Sequence, residues 1–510
     1  MATAVEKHDK VKSFDWEPTL PRKDAKYPTK YKIPASTRDP FRVLVREYVA
    51  MEAEKDDRQF GSLDVLRRSE NAETAEPRWM EILKPFLLLI GFGEYTAINC
   101  AAMLADTINN PELRQGYLAQ MNDEIRHANA EAYLLRYHAQ HAPNPAGFNS
   151  GFKTRAWDPI WMAGRAAFEP IMADDPITAA LHLQVFAETA FTNETFVALT
   201  QIAAVNGDHV TPTVALSIQS DEGRHMANGY STLAAVLSEP SNLEMLQEDF
   251  DTAFWRQQNF IDPFTAAIYD YFAKVRIEPF QNYWQKWVEE DFLGSYIEKM
   301  APFGLKEPRW ADDARRGIPW VGHTSAMVSA ALWPIHPWCS DYMVEDDFEF
   351  LSKHYPHWEE HYAPFWTNYR QMADPRNGTL AVSMFPELPP MCRVCQMACV
   401  MPAPHLSKPR FIIDRNGGRN ALCSDACEHI FRTEPHRYPG KTWYEIFDGW
   451  DLADYLRDAG LVREDGNTLM AQPHVHQDPE WLWTLDDIRR IGYEIKDPLK
   501  SVPAEAFTSL

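Results

Sequence analysis

The chain of 510 residues is long enough to bury a large core or to divide into a main domain with appendages, and its apolar share of 45% is ordinary for a soluble globular protein. Its 50 basic and 73 acidic residues give a formal net charge of −23, which argues against binding to nucleic acid or to anionic membrane surfaces. No apolar run is long enough to span a bilayer and the first residues lack the apolar core of a signal peptide, so we expect a cytoplasmic protein.

The first predicted elements are a polar arm and a set of long helices. Residues 1–30 are rich in Pro and Lys and are expected to form the arm. An Asn-Pro pair at 110–111 and a Thr-Pro pair at 211–212 are typical of helix starts, and an Asn-Gly pair at 206–207 is typical of a helix end. Helices this long indicate a substantial helical bundle. The four predicted helices cover residues 78–108, 111–141, 176–207 and 211–239.

The second half of the chain continues with helices and then changes character. Further helices rich in aromatic residues are predicted through 250–300 and 310–370. An Asn-Gly-Gly sequence at 416–418 predicts a hairpin, and a short helix is expected after Cys423. We therefore divide the chain into an N-terminal arm, a helical domain, a small metal-binding module and a C-terminal helical tail, at residues 1–30, 31–385, 386–440 and 441–510.

Five of the seven cysteines lie close together in the predicted module. Cys392 and Cys395 form one closely spaced pair, and Cys423 and Cys427 form a second pair across the hairpin. Four thiolates in two such pairs are the ligand set of a structural zinc ion. Free buried cysteines are the alternative, and Cys399 is the fifth cysteine that the pairing leaves over.

The sequence Asp-Glu-x-Arg-His occurs twice, at 123–127 and 221–225. Helical residues three apart project from one face, so each repeat presents a Glu and a His together. One further Glu lies upstream of each repeat in apolar surroundings, where a lone carboxylate is costly to bury. Such a set of four Glu and two His is typical of a carboxylate-bridged di-iron bundle. The predicted iron ligands are Glu94, Glu124, His127, Glu188, Glu222 and His225.

Taken singly, each Glu-x-x-His pair would be read as surface charge on an amphipathic helix. Two pairs with matching upstream glutamates favour a metal site, and carboxylate and imidazole ligands with open positions suit iron or manganese. Asp123 and Asp221 are expected to accept the second N–H of the ligand histidines. Arg126 and Arg224 are expected to neutralise these acids, with ordinary surface ion pairs as the alternative.

These motifs resemble the large (α) hydroxylase subunit of soluble bacterial multicomponent di-iron monooxygenases, most strongly the soluble methane and alkene monooxygenase branch. Segments that carry the resemblance include GEYTAIN, GYLAQMNDEIRH and NGDHVTPTVALSIQSDEGRHMANGY, while CSDACEHIFRTEPHRY resembles the zinc-binding element of the phenol hydroxylase α subunit. The resemblance implies a mainly α fold with a ferritin-like di-iron four-helix bundle core, additional helices and a small C-terminal zinc-stapled α+β module.

The resemblance also implies a reaction and its partners. Two iron ions, reduced through a separate NADH-dependent flavin/iron–sulfur reductase, would activate O2 and insert one oxygen atom into a small hydrocarbon. The chain itself has no Gly-rich dinucleotide motif and no ferredoxin-type cysteine set, so the reductase must be another protein. Further implied partners are a hydroxylase β subunit, possibly a γ subunit, and a small regulatory (coupling) protein.

By similarity, Thr192 is an active-site threonine that helps to deliver protons, with Asn193 beside it. The alternative is a hydroxyl that hydrogen-bonds to its own helix. Ile90 matches a gate residue of the family, and three phenylalanines are expected to line an apolar pocket, with plain core packing as the alternative. These three are Phe168, Phe186 and Phe191.

Glu131, four residues after His127, departs from the family pattern, because the methane enzymes have Cys there and the aromatic hydroxylases have Gln. An acid at this position would change the polarity of the pocket or bind metal. Alternatively, it would point away and pair with an arginine. The sequence leaves both arrangements open.

The favoured function is the epoxidation of short-chain alkenes, because the chain follows the methane branch but lacks its pocket Cys. Hydroxylation of phenol, toluene or short alkanes is the alternative within the family. A ferritin-like iron-storage protein shares the ligand bundle, but the chain length, the cysteine module and Thr192 count against it. A radical-generating subunit like that of ribonucleotide reductase would require a Tyr near the iron, where Glu131 stands instead.

Overall fold

The computed structural model describes residues 29–33, 75–141, 175–332, 343–367, 391–397, 410–413 and 419–438. Within these ranges the protein is almost entirely helical, as predicted, and its one sheet has two strands. Among the described helices, none combines the length and the apolar character needed to cross a membrane. Phe168, Cys399, the predicted tail and nearly all of the predicted arm lie outside the described residues.

The first two helices, α1 (Pro77–Thr107) and α2 (Pro111–His141), form an antiparallel pair joined by a three-residue turn. The Glu76 side chain begins α1 by accepting hydrogen bonds from the backbone N–H groups of Arg78 and Trp79. The Asn110 side chain begins α2 in the same way, by accepting from the next two backbone N–H groups after Pro111. Both helices therefore begin within one residue of the predicted positions.

The third helix, α3 (residues 176–205), is helical as predicted, but much of it is not α-helical. It begins as an α-helix over Pro176–Ala180, widens to π geometry over Leu181–Phe191 and Asn193–Val197, and ends as an α-helix over Ala198–Val205. The wider turns bring carbonyls five residues back within reach of side-chain hydroxyls, as in the 2.6 Å bond from Thr189 Oγ1 to Gln184 O. Widened turns of this kind are frequent at functional sites.

The fourth helix, α4 (Thr211–Leu237), packs against both α2 and α3. Two glycines set how closely it approaches them. A Cβ added to Gly116 of α2 would lie 2.5 Å from Asn228 Oδ1, and a Cβ added to Gly229 would lie 2.7 Å from Gln184 Cβ of α3. A larger residue at Gly229 would meet the backbone of α3 and force α3 and α4 apart, whereas a larger residue at Gly116 would displace the Asn228 side chain.

The remaining helices pack against this bundle and against one another. Helix α5 (Leu243–Ala267) packs on α3 and on a later helix, α7 (Ala311–Leu332), and continues as π turns over Ile268–Phe272. Helix α6 (residues 280–300) contains a π segment, Gln285–Tyr296, between the α-helical segments Phe280–Trp284 and Ile297–Met300. The last three helices of this group are α7 (Ala311–Leu332), α8 (Glu345–His354) and α9 (Trp358–His361).

The cysteine module contains the predicted hairpin and helix. Strands β1 (Arg410–Ile413) and β2 (Arg419–Leu422) pair in antiparallel register, and helix α10 (Asp425–Thr433) follows directly. The Ser424 hydroxyl accepts a hydrogen bond from Cys427 N at 3.1 Å and so begins α10. The module is anchored to α5, where Arg256 Nε donates to Tyr438 Oη at 2.9 Å.

Two carboxyl groups are buried side by side between α3 and α5, apart from the predicted metal ligands. Glu194 and Asp262 are both fully buried, and neither forms an ion pair with a described Lys or Arg. Burial raises the pKa of Asp262 to about 7, and burial with the adjacent Asp262 charge raises the pKa of Glu194 well above its usual range. The pair therefore retains a proton under conditions where exposed carboxyl groups are ionised.

Replacing Glu194 by Gln should weaken the pH dependence of stability. The folded pair holds protons that the unfolded chain, with carboxyl pKa values near 4, releases, so the pair makes the wild type less stable as pH rises from about 4 through about 7. Between about pH 6 and pH 8, the free energy of unfolding should fall less in E194Q than in the wild type, by up to about 2.7 kcal/mol, which is the limit for one bound proton over two pH units. Glu298→Gln, at an exposed position of α6, is the control. Equal losses in wild type and E194Q would contradict this reading of the pair.

Candidate metal centre

Each of the four bundle helices contributes one buried glutamate to a single cluster between them. Helices α2 and α4 also contribute one histidine each, one turn after their glutamates, and none of the six side chains is more than 8% exposed. All six residues predicted as iron ligands are therefore brought together. They are Glu94, Glu124, His127, Glu188, Glu222 and His225.

The cluster divides into two halves that share Glu124. Ligand atoms of Glu94, Glu124 and His127 all lie within 4.8 Å of one another, and so do those of Glu124, Glu188 and His225. Glu124 Oε2 lies 3.1 Å from His127 Nδ1, whereas its Oε1 lies 3.3 Å from His225 Nδ1. The two oxygens of one carboxylate thus face different halves, which is the arrangement of a bridging ligand.

Glu222 spans the same two halves from the opposite helix. Its Oε2 lies 3.1 Å from His225 Nδ1, and its Oε1 lies 3.8 Å from His127 Nδ1. The two imidazole rings are 5.7 Å apart between centroids. Two carboxylates that each reach both imidazoles match the ligand arrangement of a carboxylate-bridged pair of cations.

The outer nitrogens of the two histidines contact aspartates in a crossed pattern. His127 of α2 has its Nε2 2.9 Å from Asp221 Oδ2 of α4, and His225 of α4 has its Nε2 3.3 Å from Asp123 Oδ2 of α2. An Nε2–H that donates to a carboxylate fixes the ring and leaves Nδ1 as the ligand atom. The Asp of each repeat therefore orients the His of the other repeat.

Both arginines of the repeats contact both of these aspartates. Arg126 binds Asp221 at 2.9 Å and also contacts Asp123, while Arg224 binds Asp123 at 3.1 Å and also contacts Asp221. Arg224 is buried and the Arg126 side chain is only 18% exposed, so these are not the surface ion pairs of the alternative. The four residues close a charged network that joins α2 to α4 behind the histidines.

The electrostatics of the cluster favour bound cations. Burial raises the pKa of Glu94 to about 7 and the pKa of Glu188 well above its usual range. Burial alone would lower the pKa of His127, but the charges of Glu94 and Glu124 raise it to about 10. Four carboxylates facing two imidazoles carry more negative charge than the histidines can neutralise. Two divalent cations would offset this charge, and the mixed oxygen and nitrogen donors suit iron.

Gln120, which was not predicted from the sequence, donates hydrogen bonds from Nε2 to Glu124 Oε1 and to Glu188 Oε1, both at 3.0 Å. Its own Oε1 accepts from Asn228 Nδ2 of α4 at 3.2 Å. Gln120 lies four residues before Glu124, on the same helix face. This four-residue spacing from a predicted ligand is the signal by which the sequence could have identified Gln120.

Thr192 hydrogen-bonds within its own helix, which is the alternative that the sequence left open. Its Oγ1 donates to Ala187 O at 2.9 Å and also contacts Glu188 O. The neighbouring Asn193 Oδ1 accepts from Gln219 Nε2 at 2.6 Å. A role for Thr192 in proton delivery stays a prediction, because the hydroxyl would first have to turn away from these carbonyls.

Two of the predicted pocket phenylalanines belong to an aromatic cluster. Phe186 is fully buried, with ring centroids 4.7 Å from Phe250 and 5.3 Å from Phe292, and Phe191 stacks on Phe254 at 6.5 Å. The predicted gate residue, Ile90, is half-buried against the same core. Their roles as pocket and gate residues stay predictions.

Glu131 lies one turn after His127 and is only 1% exposed. Neither carboxyl oxygen has a hydrogen-bond partner among the described residues, and no described arginine pairs with it. Burial and the charge of Glu94 raise the pKa of Glu131 well above its usual range. Of the two arrangements that the sequence left open, the side chain adopts the one directed at the glutamate cluster.

The four predicted zinc ligands form a second cluster. Sulfur atoms of Cys392, Cys395, Cys423 and Cys427 all lie within 4.8 Å of one another. Separations of 3.7 Å for Cys395–Cys423 and 3.6 Å for Cys423–Cys427 are too long for disulfides. Burial raises the pKa of the Cys395 and Cys427 thiols well above the usual range, so thiolates there require a cation. The cluster fits a zinc site.

Replacing Asp221 by Asn should weaken iron binding in one half of the cluster. Removing the acceptor that orients His127 is expected to lower the affinity for one of two Fe(II) ions by about 10–100-fold, measured by anaerobic titration of apoprotein. Asp312→Asn is the matched control, because Asp312 is exposed and also pairs with an arginine. Unchanged affinity in D221N would contradict an orienting role for Asp221.

Replacing Cys427 by Ser should abolish zinc binding, because three thiolates and a hydroxyl hold zinc less tightly than four thiolates. Elemental analysis of purified protein should give about one zinc per chain for the wild type and close to none for the variant. Cys100→Ser is the control, since Cys100 is equally buried but lies outside the cluster. Equal zinc contents in wild type and C427S would contradict a zinc site formed by these four cysteines.

The comparisons with known proteins agree with this geometry. Residues 16–240 match the family model described as Methane/Phenol/Alkene Hydroxylase. The chain is 35% identical to the methane monooxygenase component A alpha chain of Methylococcus capsulatus, over 98% of this chain and 95% of that one. It is also 35% identical to the propane 2-monooxygenase hydroxylase component large subunit of Mycolicibacterium goodii, over 94% and 92% of the two chains.

The fold is similar to that of a phenol hydroxylase from Pseudomonas sp. OX1, with a TM-score of 0.72 and 23% identity over 82% of this chain and 85% of that one. The similarity in sequence covers almost the whole chain, and the similarity in fold covers most of it. The chain therefore belongs to the methane, phenol and alkene hydroxylase family, as an α hydroxylase subunit with the ferritin-like helical di-iron fold.

Proposed function

We propose that this α subunit binds two iron ions and uses O2 to insert one oxygen atom into a short-chain hydrocarbon. The observation that carries the proposal is the buried cluster of four glutamates and two histidines, whose halves share Glu124. One half would be held by Glu94 and His127, and the other by Glu188 and His225, with Glu124 and Glu222 spanning both.

The iron pair, when bound, would supply oxygen activation, and the protein's own residues would prepare the site for it. Asp221 and Asp123 orient the two imidazoles, so that both Nδ1 atoms face the glutamates. Gln120 holds two of the carboxylates by hydrogen bonds from one amide. Because these contacts exist before any reaction, the ligands need little rearrangement to bind metal.

Thr192 is the predicted residue that we propose for moving a proton. Its hydroxyl lies one turn after Glu188 and donates to a helix carbonyl. Rotation of the hydroxyl away from that carbonyl would free its proton for transfer towards the glutamate side of α3. The π turns around it support this proposal, because such turns often accompany functional residues.

The proposed substrates are small and apolar. Phenylalanines of α3, the helix that carries Glu188, pack against phenylalanines of α5 and α6, and these apolar surroundings favour hydrocarbon over polar compounds. Epoxidation of short alkenes is the reaction proposed from sequence. Short-alkane hydroxylation is the second candidate, because relatives named for methane and propane are 35% identical, whereas the alkene monooxygenase α subunit of Xanthobacter autotrophicus is 25% identical over 79% of the chain.

We further propose that the α subunit acts with other proteins. Relatives are named as a component or as the large subunit of a hydroxylase component, which supports a multicomponent system here. The partners would be a β subunit, often accompanied in the family by a γ subunit, together with a small regulatory protein and an NADH-dependent reductase. Within the chain, we propose the arm, helical domain, zinc-binding module and tail at the boundaries given above.

Single-turnover product analysis tests the proposal. The chain, purified with its co-expressed subunits, would be reduced chemically and exposed to labelled O2 with propene, propane, toluene or phenol. We expect propene oxide carrying one labelled oxygen from the wild type, and no product from Glu124→Ala, which removes the shared ligand. Glu112→Gln is the control, because it removes an exposed acid from the same helix, about 18 Å along α2 from Glu124.

Other outcomes would change the proposed substrate or the proposed function. Labelled propanol, phenols or cresols as the main product would keep the oxygenase chemistry and overturn the alkene preference. Iron that becomes oxidised without any organic product, even after a regulatory protein of the family is added, would favour an iron-storage role instead.

A further inference from the structure

A fifth carboxylate, Glu131, borders the glutamate cluster. It lies four residues after His127 and therefore one turn along the same face of α2. Its ionisable neighbours are the carboxylates of Glu94, Glu124 and Glu222, of which Glu94 acts on it most strongly. Glu131 is thus placed at the end of the cluster where Glu94 and His127 meet.

The carboxyl group of Glu131 is buried without a hydrogen-bond donor or a cationic partner in the described part of the chain. Both of its oxygens are inaccessible to solvent and accept no hydrogen bond, and no described Lys or Arg forms an ion pair with it. An unpaired carboxylate in such surroundings is costly, and three neighbouring carboxylates increase the cost. A bound cation is the partner that would offset both effects.

The carboxylate of Glu131 faces helix α1. Gly91 of α1 faces it, and a Cβ added there would lie 3.5 Å from Glu131 Oε2. Gly91 precedes Glu94 by three residues, so both lie on neighbouring turns of one face of α1. The Glu131 carboxylate therefore lies against α1, beside the turn that carries Glu94.

We propose that Glu131 is a further oxygen ligand of the cation held by Glu94, Glu124 and His127. The two halves of the cluster would then differ, because Glu131 lies on the side of Glu94 and His127, four residues after His127 on α2. This inference rests on the proposed function only in requiring that the cluster binds two metal ions. Glu131 would then bind the metal, and its role would not be to change the polarity of the substrate pocket.

Anaerobic titration of the apoprotein complex with Fe(II), followed by Mössbauer spectroscopy of the iron-loaded protein, tests the proposal without relying on activity. In Glu131→Gln, we expect the affinity for one of the two ions to fall about 10-fold or more. The quadrupole doublet of that iron should change, and the doublet of the other should stay the same. In Glu131→Asp, which keeps a carboxylate on a shorter side chain, we expect an affinity between those of the wild type and E131Q. This variant also tests the proposal if E131Q does not fold.

Two control variants make the test specific. Glu112→Gln removes an exposed acid in the first turn of α2, and Glu194→Gln removes a carboxylate that is equally buried but lies outside the cluster. Both should bind iron as the wild type does. Identical affinities and spectra in wild type and E131Q would overturn this inference alone, as would equal changes in E131Q and E194Q. A wild type that binds fewer than two ions would overturn the proposed function as well.

Discussion

The burial of four carboxylates in one place is the constraint on which the rest of the structure depends. Glu94, Glu124, Glu188 and Glu222 come from four different helices, and like charges at this distance repel in a medium of low dielectric constant. Contacts elsewhere must therefore hold the four helices together against the mutual repulsion of these carboxylates. Close helix contacts at Gly116 and Gly229, and the bridging hydrogen bonds of Gln120, resist that repulsion until cations offset it.

The charged network behind the histidines also holds the bundle together. Each arginine contacts one aspartate of its own helix and one of the partner helix, so α2 and α4 are joined at the level of the ligands. A buried network of this kind contributes little net stability, but it fixes geometry, because a misplaced member would leave a buried charge unpaired. Ligand orientation is thus determined by the same contacts that join the helices.

Much of this site could be predicted from sequence, because its signals are local. A three-residue spacing places Glu124 and His127 on one face of a helix, and the two cysteine pairs need only a hairpin between them. The π turns of α3, the crossed pairing of aspartates with histidines and the hydrogen bonds of Gln120 were not predicted. They depend on how helices far apart in sequence pack together, and a π turn has no simple hydrophobic period to reveal it.

The crossed pairing has a consequence for folding. His127 depends on Asp221 and His225 depends on Asp123, so each imidazole is oriented only after segments about a hundred residues apart in the chain have met. We expect contacts between such distant segments to form late in folding, because a long loop must close, at a cost in entropy, before they can stabilise the structure. The ligand set of either half is therefore fully oriented only when both repeats are in place, and we expect metal capture to be coupled to the completion of the tertiary structure.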